Sequence, residues 1–203
     1  MIQKRGALDE SGIRPALLSR LLPKHAGRAS TAIIEELGLC RGRVRVDVAV
    51  VNGRLHGYEI KSDRDTLRRL TVQVEIYGKV LDRATLVVGD RYLAEALEVV
   101  PVWWGVLHVH PTATGLRFKT VRRARKNPRR DPRSLVELLW NDDAIALLEE
   151  RNAARGVRGK PRRLVWDRVC EHFAVDEIAS AVRARLKTRA KNEGPPRPSR
   201  YGE

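Results

Sequence analysis

The chain has 203 residues, 42% of them hydrophobic, which is enough for one domain of ordinary size and an appendage. Forty lysines and arginines against 25 acidic residues give a net charge of +15, an excess that favours a polyanionic partner such as nucleic acid. Cys40 and Cys170 lie far apart in the sequence, which argues against a disulfide framework or a zinc finger. No apolar run reaches the length of a membrane span, so we expect a cytoplasmic protein without membrane contact.

The N-terminal part predicts two helices. The first covers residues 8–22, with Pro23 and Gly27 as its breakers. The second runs from about residue 30 to residue 37, and Gly38 ends it.

Residues 45–61 predict two β-strands joined at Asn52-Gly53. Asp47 lies near the start of the first strand. Glu59 and Lys61 end the second strand, and side chains two apart on a strand share a face. The pattern therefore places a carboxylate beside an ammonium group.

The register of this hairpin decides whether Asp47 joins Glu59. A two-residue turn would set Asp47 opposite Tyr58, whereas a three-residue turn or a bulge near Gly57 would set it opposite Glu59. We predict the three-residue turn or the bulge, because the remaining face is then almost wholly apolar, as a buried face should be. That face consists of Val44, Val46, Val48, Val50, His56, Tyr58 and Ile60.

Two carboxylates that converge on one spot repel each other unless a divalent cation lies between them. Oxygen ligands suit Mg²⁺ or Mn²⁺, and the Ile60 carbonyl would complete the protein's share of a metal site with Asp47 and Glu59. Lys61 would orient a metal-bound water or stabilise charge on a phosphate. The pattern is that of a site that cleaves phosphodiesters.

The next segment predicts an amphipathic helix over about residues 67–81, because its apolar positions are spaced by three and four. Ser62 or Asp63 is expected to cap this helix. Asp65 is expected in its first turn, where the helix dipole favours an acid.

The same helix carries Gln73 and Tyr77 one turn apart, so both can reach the site or a DNA phosphate. For Tyr77 the alternative is an ordinary place in the core.

The rest of the chain continues the alternation of strands and helices and then becomes strongly basic. Residues 117–203 carry 23 of the 40 basic residues. The predicted elements are strands at 84–89, 103–109 and 116–121, a helix at 91–99, a basic linker at 122–133, helical stretches at 134–151, 162–173 and 176–190, and a disordered tail at 192–203. This order predicts an α/β sandwich around a mixed sheet.

Two pairs of ring side chains in and next to the predicted 103–109 strand could have a function instead of a structural role. Trp103 and Trp104 are expected to pack in the core rather than to stack on bases. His108 and His110 share a strand face that suits a metal, but no third ligand lies nearby in the sequence.

The segment from Asp47 to Glu59-Ile60-Lys61 resembles the core motif of the PD-(D/E)XK nucleases, with Val46 in place of the proline. Gln73 and Tyr77 match the Gln-x-x-x-Tyr of the RecB-like subset, and the run from residue 59 to residue 70 resembles an uncharacterised bacterial branch. The resemblance covers roughly residues 30–110.

This resemblance implies a restriction-endonuclease-like fold over residues 1–121, a mixed β-sheet sandwiched by helices, followed by a basic α-helical appendage at 134–191. It implies a Mg²⁺- or Mn²⁺-dependent DNA nuclease of repair, mobile-element or phage-defence context, with Asp47, Glu59 and Lys61 as catalytic residues. In this family a glutamate of the preceding helix often assists, a role that falls to Glu36; the alternative is a solvated helix end. Gln73 and Tyr77 would be accessory residues.

The basic part suits contacts with DNA phosphates, and RNA fits the same charge. The expected contact residues are Arg122, Arg123, Arg125, Lys126, Arg129, Arg130, Arg183 and Lys187. One alternative is a helical appendage that packs on the core or on a second subunit, and a homodimer is compatible with this. Another is a non-catalytic nucleic-acid-binding subunit that keeps the nuclease fold. The absence of a P-loop, a dinucleotide fingerprint and a Gly-x-Ser-x-Gly elbow argues against nucleotide-driven motors, dehydrogenases and serine hydrolases.

Overall fold

The computed structural model of the chain describes residues 8–25 and 31–193. These residues fall into two compact units. The first unit contains residues 8–25 and 56–130, and the second contains residues 31–55 and 131–193. The units divide the chain differently from the predicted domains, because residues 31–55 group with the C-terminal helices.

The described residues form seven α-helices and six β-strands. The helices are α1 (Glu10–His25), α2 (Leu70–Val80), α3 (Leu93–Val99), α4 (Pro132–Val136), α5 (Asn141–Glu149), α6 (Arg162–His172) and α7 (Val175–Glu193). The strands are β1 (Ala32–Leu39), β2 (Val44–Val51), β3 (Leu55–Lys61), β4 (Arg83–Val88), β5 (Gly105–Thr112) and β6 (Gly115–Arg122). Short 3₁₀ turns at Leu67–Arg69 and Asp90–Tyr92 precede α2 and α3.

The first unit is built on a mixed sheet. Strands β3, β4 and β5 are parallel, and β6 is antiparallel to β5. Strand β4 is buried from Ala84 to Val88, as expected for a central parallel strand that is covered on both faces. The predicted α/β class with a mixed sheet is thereby confirmed.

Helices cover both faces of this sheet. Successive residues of β3 point to opposite faces. Glu59 receives hydrogen bonds from α2 on one face, while on the other a cavity lies between Tyr58 and Leu17 of α1. Helix α1 begins near the predicted position and buries Ile13 and Leu17, but it continues through Pro23 to His25; Gly27 lies outside the described residues.

The second unit combines a two-stranded antiparallel ribbon with four helices. Helix α7 packs against both β1 and β2, and it also contacts α4 and α6. Its apolar side is buried at Ile178, Val182 and Leu186, as its spacing predicts. Helix α7 extends to Glu193, so the predicted disorder is wrong at residues 192 and 193; residues 194–203 lie outside the described part of the chain.

The predicted helix at residues 30–37 is wrong, because this segment forms β1. It pairs with β2 from Ala32 opposite Val51 to Leu39 opposite Val44. A hairpin turn follows, in which Cys40 and Arg41 adopt positive φ, so Gly38 does not end a helix. The β-branched Ile33 and Ile34 fit a half-buried strand, and pairing with the valine-rich β2 overrides the local helical pattern.

The predicted helix at residues 134–151 is interrupted in the structure. Helix α4 ends at Val136, and α5 starts at Asn141 after an exposed Trp140. The Trp140 N–H donates to Asp143 at 3.4 Å, so the acidic first turn of α5 favours a new helix start. The strand predicted from residue 103 likewise starts later, at Gly105.

The connection between β2 and β3 has three residues, Asn52 to Arg54, which is one of the two predicted forms. The Asn52 side chain accepts from the Arg54 N–H at 3.0 Å, and the Asn52 N–H donates to the Arg54 carbonyl at the same distance. In the described residues, no helix combines the length and hydropathy that a bilayer crossing requires.

Candidate active site

The candidate active site of the first unit is centred on Glu59, next to the end of β3. Glu59 is 2% exposed and Lys61 is 5% exposed, although both are charged residue types. The Lys61 Nζ donates to Glu59 Oε1 at 2.6 Å. The alternation of β3 predicts this pair, since residues two apart share a face.

Helix α2 brings two further donors to the same carboxylate. The Gln73 Nε2 donates to Glu59 Oε1 at 2.5 Å, and the Tyr77 hydroxyl donates to Glu59 Oε2. Gln73 and Tyr77 are four residues apart, so they lie one above the other on the face of α2 that meets the sheet. We call Glu59, Lys61, Gln73 and Tyr77 the Glu59 cluster.

Burial makes the Glu59 cluster energetically sensitive. Removing one partner of a buried ion pair leaves an uncompensated charge and costs about 3–5 kcal/mol. Hydrogen bonds to a charged group contribute about 1.5–3 kcal/mol each, so Gln73 and Tyr77 offset part of the desolvation of Glu59. The cluster thereby holds the Glu59 carboxylate in one orientation.

An aromatic stack fixes the Tyr77 side of the cluster. The Tyr77 and Trp104 rings lie 5.6 Å apart between centroids, with planes inclined by 7°. Both side chains are fully buried, and Trp103 meets Trp104 edge-on at 5.8 Å. The prediction that the tryptophans pack in the core rather than stack on bases is confirmed. Tyr77 is buried in the core as well, but this alternative is incomplete because its hydroxyl donates to Glu59. The tryptophan pair alone gave no sign of this supporting role.

The two faces of β3 are not buried as predicted. His56 and Tyr58 of the apolar face are half-buried, whereas Glu59 and Lys61 of the opposite face are buried. The reason is that α2 covers the Glu59 face with polar partners of matched geometry. A polar side chain can therefore occupy the more buried face without an unsatisfied charge.

The loop after Lys61 contradicts the predicted helix cap. Asp65 accepts from both the backbone N–H and the hydroxyl of Ser62, at 2.8 and 2.6 Å, and so closes a turn ahead of the helix. Asp63 accepts from the Leu8 N–H at 3.2 Å. Thr66 occupies the cap position of the 3₁₀ turn and makes no side-chain capping bond. Local hydrogen bonding of short polar side chains competes here with capping, and Asp65 is not in a first helical turn.

Glu36 and Asp47 lie together in the second unit, on adjacent strands. The β1–β2 register passes from Glu35 opposite Val48 to Leu37 opposite Val46, which leaves Glu36 facing Asp47. A carboxylate oxygen of each lies within 4.8 Å of the other. Glu36 is therefore placed beside Asp47 from a strand, and the prediction of a helical glutamate is wrong in its element.

A divalent cation fits the donor chemistry of the Glu59 cluster. The Gln73 Oε1 is buried and has no hydrogen-bond partner among the described residues, so an oxygen ligand lies next to Glu59. Carboxylate and amide oxygens suit Mg²⁺ or Mn²⁺. Whether Asp47 and Glu59 share such an ion stays a prediction from the sequence.

The residues predicted to contact nucleic acid fall into two groups: side chains exposed to solvent, and side chains that are at least half-buried or bonded to other parts of the protein. Arg123, Arg125, Lys126 and Arg129 are exposed, and Arg183 and Lys187 of α7 are half-buried. The segment between β6 and α4, which contains these four exposed residues, is hydrogen-bonded to the end of α2. The Asn127 amide donates to the carbonyls of Gly78 and Leu81 at 2.7 and 2.8 Å. Residues 123–131 contain no helix or strand, whereas Arg122 ends β6 and Pro132 and Arg133 begin α4, so the predicted linker is shorter at both ends than residues 122–133.

Arg122 and Arg130 are held by the protein itself. The Arg122 guanidinium donates to the carbonyls of Trp104, Val100 and Pro101 at 2.8 to 3.1 Å. Burial lowers the pKa of Arg122, and neighbouring Arg125 lowers it further. Arg130 forms a buried ion pair with Asp82, with 2.5 Å between Nη1 and Oδ1.

His108 and His110 lie on one strand face, as predicted, with ring centroids 5.2 Å apart. His108 Nε2 contacts Asp90 Oδ1 at 2.7 Å, a partner that the sequence did not suggest. Within the described residues, these three do not form a group with converging ligand atoms.

Comparison with known proteins gives one family. A family model described as bacteriophage P4 protein cII matches residues 3–194. Protein cII of Enterobacteria phage P4 is 33% identical over 119 residues, which are 58% of this chain and 44% of that protein. The match therefore spans less than half the length of this curated relative. Among solved structures, the chain is similar to the SPO1766 protein of unknown function from Silicibacter pomeroyi, with a TM-score of 0.42 and 21% identity over 96% of this chain and 99% of that chain.

Proposed function

The chain belongs to the bacteriophage P4 protein cII family, and we propose from the geometry around Glu59 that it is a divalent-metal-dependent DNA nuclease with a restriction-endonuclease-like fold. The observation that carries the proposal is the buried Glu59 carboxylate with donors from Lys61, Gln73 and Tyr77. Burying a charged pair is costly, so a fold that retains one often uses it in a site.

The catalytic roles follow from the chemistry of the side chains. Asp47, Glu59 and the Ile60 carbonyl would hold Mg²⁺ or Mn²⁺, with Glu36 beside Asp47 as the accessory ligand. The metal, when bound, would polarise a coordinated water and neutralise charge on the scissile phosphate. Lys61 stabilises negative charge on the phosphate or orients the attacking water. Gln73 and Tyr77 fix the Glu59 carboxylate during the reaction.

The exposed cations between β6 and α4 supply sequence-independent contacts with the phosphate backbone of DNA, or of RNA. The phage origin of the curated relative supports a mobile-element context ahead of repair or defence. A cytoplasmic location and a homodimer belong to the same proposal.

A second candidate function is a nucleic-acid-binding subunit without catalysis. One observation favours it: both oxygens of Glu59 already accept hydrogen bonds from the protein, as in a closed structural network. Such a protein would bind DNA in a salt-dependent way, and the binding would survive loss of Asp47 or Lys61.

The test is cleavage of circular single-stranded and supercoiled duplex DNA in Mg²⁺, Mn²⁺ or EDTA. The variants are Lys61→Met, which avoids leaving a cavity, and Asp47→Asn. The matched control is Lys79→Met, because Lys79 lies on the exposed side of α2 and pairs with Glu75 rather than Glu59. Thermal melting confirms that each variant is folded.

Metal-dependent cutting that both variants lose and the control keeps supports the nuclease. Cutting that survives in folded Lys61→Met and Asp47→Asn assigns the activity to another site or to a contaminant and sinks the proposal. DNA binding without any cutting by the parent protein favours the second candidate.

A further inference from the structure

A cavity of the first unit lies on the sheet face opposite the Glu59 cluster. Its volume is about 280 Å³, and residues of α1, of β3 to β6 and of the segment that follows β6 line it. We call it the arginine cavity, because Arg20, Arg83, Arg122 and Arg123 all line it. The cavity and the Glu59 cluster use alternate residues of β3, so they are separate sites.

The charge of the arginine cavity is uncompensated by carboxylates. No aspartate or glutamate is among its lining residues in the described part of the chain. Arg122 is held by three backbone carbonyls, which fix its position without neutralising its charge. Four cations around one small volume repel one another, and an anion between them removes that repulsion.

Arg83 shows an unfilled requirement for an acceptor. Its Nε is buried and has no hydrogen-bond partner among the described residues. Arg83 is the first residue of β4 and is paired with His56 of the parallel strand β3. An unsatisfied buried donor is destabilising, and an oxyanion in the cavity would supply the acceptor that it lacks.

Polar side chains that carry no carboxylate complete the lining. His56 Nε2 contacts the Thr85 hydroxyl at 2.8 Å, and the His56 ring stacks on Tyr58 with 4.4 Å between centroids. Burial raises the pKa of Tyr58, an effect that Arg20 partly opposes, so the phenol remains a donor at neutral pH. The cavity therefore offers guanidinium forks, a phenol and a flat stacked surface.

We propose that the arginine cavity binds a small phosphate-bearing ligand of nucleotide size. Guanidinium forks match the oxygens of phosphate in paired hydrogen bonds. Small-molecule pockets usually measure roughly 300–1,000 Å³, so a cavity of about 280 Å³, just below this range, suits a phosphate with a compact substituent rather than a polymer. This inference is independent of the proposed nuclease activity.

Gly105 lies in close contact with two residues that line the cavity, Thr85 and Ala124. A Cβ at this position would lie 2.8 Å from the Thr85 hydroxyl and 2.9 Å from the Ala124 backbone nitrogen. Glycine at the start of β5 thus lets β4 and the segment after β6 approach each other beneath the arginines.

The experiment is isothermal titration of the full chain with pyrophosphate, with ADP and with a single-stranded oligonucleotide, at low ionic strength. The variants are Arg83→Gln and, in case that strand position affects folding, the exposed Arg123→Gln. Arg68→Gln is the matched control, because it removes the same charge from an exposed position of the first unit outside the cavity. Circular dichroism shows whether each variant keeps its structure.

We expect pyrophosphate and ADP to bind, and Arg83→Gln to weaken both by about tenfold or more, since it removes a charged hydrogen bond. Arg68→Gln should change the affinity by less than about threefold, the size of a screened surface effect. Absence of binding by both small anions overturns the proposal. An equal loss in Arg68→Gln also overturns it, since binding would then reflect net charge alone. Binding of the oligonucleotide alone would reassign the cavity to a polymer backbone.

Discussion

Glu36 lies opposite Asp47 across the β1–β2 ribbon, with a carboxylate oxygen of each within 4.8 Å of the other. Glu36 also adopts a positive φ of 54°, which is costly for a residue with a Cβ. Arg45 lies beside Glu36, with 3.9 Å between its Nη1 and Glu36 Oε2, and its side chain is half exposed.

Glu36→Gln should stabilise the protein in the presence of EDTA. Like charges that face each other on paired strands are destabilising, and removing one should gain about 0.2–1 kcal/mol. We expect the melting temperature to rise by roughly 1–4 °C. The control is Glu35→Gln, because Glu35 faces Val48 instead of a carboxylate. A lower melting temperature in Glu36→Gln would mean that Glu36 makes a net favourable contact.

The buried pair Glu59 and Lys61 should show strong coupling in a double-mutant cycle. Glu59→Gln alone leaves the Lys61 ammonium buried without its counter-ion and should cost about 3–5 kcal/mol of unfolding free energy. Glu59→Gln combined with Lys61→Met removes both charges, so it should cost less than the sum of the two single changes. Urea unfolding measures the three differences. Additive costs would show that the ion pair does not form in solution.

Tyr77→Phe removes the hydroxyl and keeps the ring, so it separates their two contributions. The Trp104 stack remains, while Glu59 loses one donor, so we expect a loss of about 1–3 kcal/mol and slower metal-dependent cleavage. Tyr92→Phe is the control, because its hydroxyl donates to the neutral carbonyl of Asp65 at 2.6 Å. It should cost about 0.5–1.5 kcal/mol and leave cleavage unchanged. Equal effects of the two changes on cleavage would remove Tyr77 from the site.

Arg129 and Arg130 are neighbours in sequence and are both predicted nucleic-acid contacts, but the structure exposes only Arg129. Arg129 is exposed, so Arg129→Ala should weaken DNA binding and reduce the salt slope of log affinity by about one. Arg130 is buried against Asp82, so Arg130→Ala should lower stability and leave the slope unchanged. Fluorescence anisotropy at several salt concentrations distinguishes them. An unchanged slope in Arg129→Ala would argue against a phosphate contact at this position.

Cys170 should react slowly with iodoacetamide. Burial raises the pKa of its thiol. Arg133 lowers this pKa, whereas Asp131, Asp167 and Glu171 raise it further. The thiolate therefore forms less readily than that of a free cysteine, and the midpoint of the alkylation rate should lie above that of a denatured control. Because the protonated thiol is favoured in the folded state, stability should be full below the unfolded pKa and fall as the pH rises through the folded one. A midpoint at or below that of a denatured control would contradict this. Cys170→Ala should reduce the loss of stability at alkaline pH.

Many local features followed from the sequence alone. The spacing of Glu59 and Lys61 predicted a shared strand face, and the period of α2 predicted that Gln73 and Tyr77 lie one turn apart. Both predictions rest on the fixed periods of strand and helix, which tertiary packing does not alter. The three-residue connection at Asn52 to Arg54 was also among the forms that its turn residues predicted.

Tertiary structure decided what local pattern left open. Residues 32–39 carry a sequence compatible with a helix, but pairing with β2 satisfies their backbone as a strand and sets Glu36 beside Asp47. The convergence of Lys61, Gln73 and Tyr77 on one carboxylate required α2 to cover the Glu59 face. The four arginines of the arginine cavity come from α1, from β4, from the end of β6 and from the residue after it, and only packing brings these distant charges together. Periodicity fixes the direction of a side chain within its own element, whereas the partner that it meets depends on contacts between elements remote in sequence.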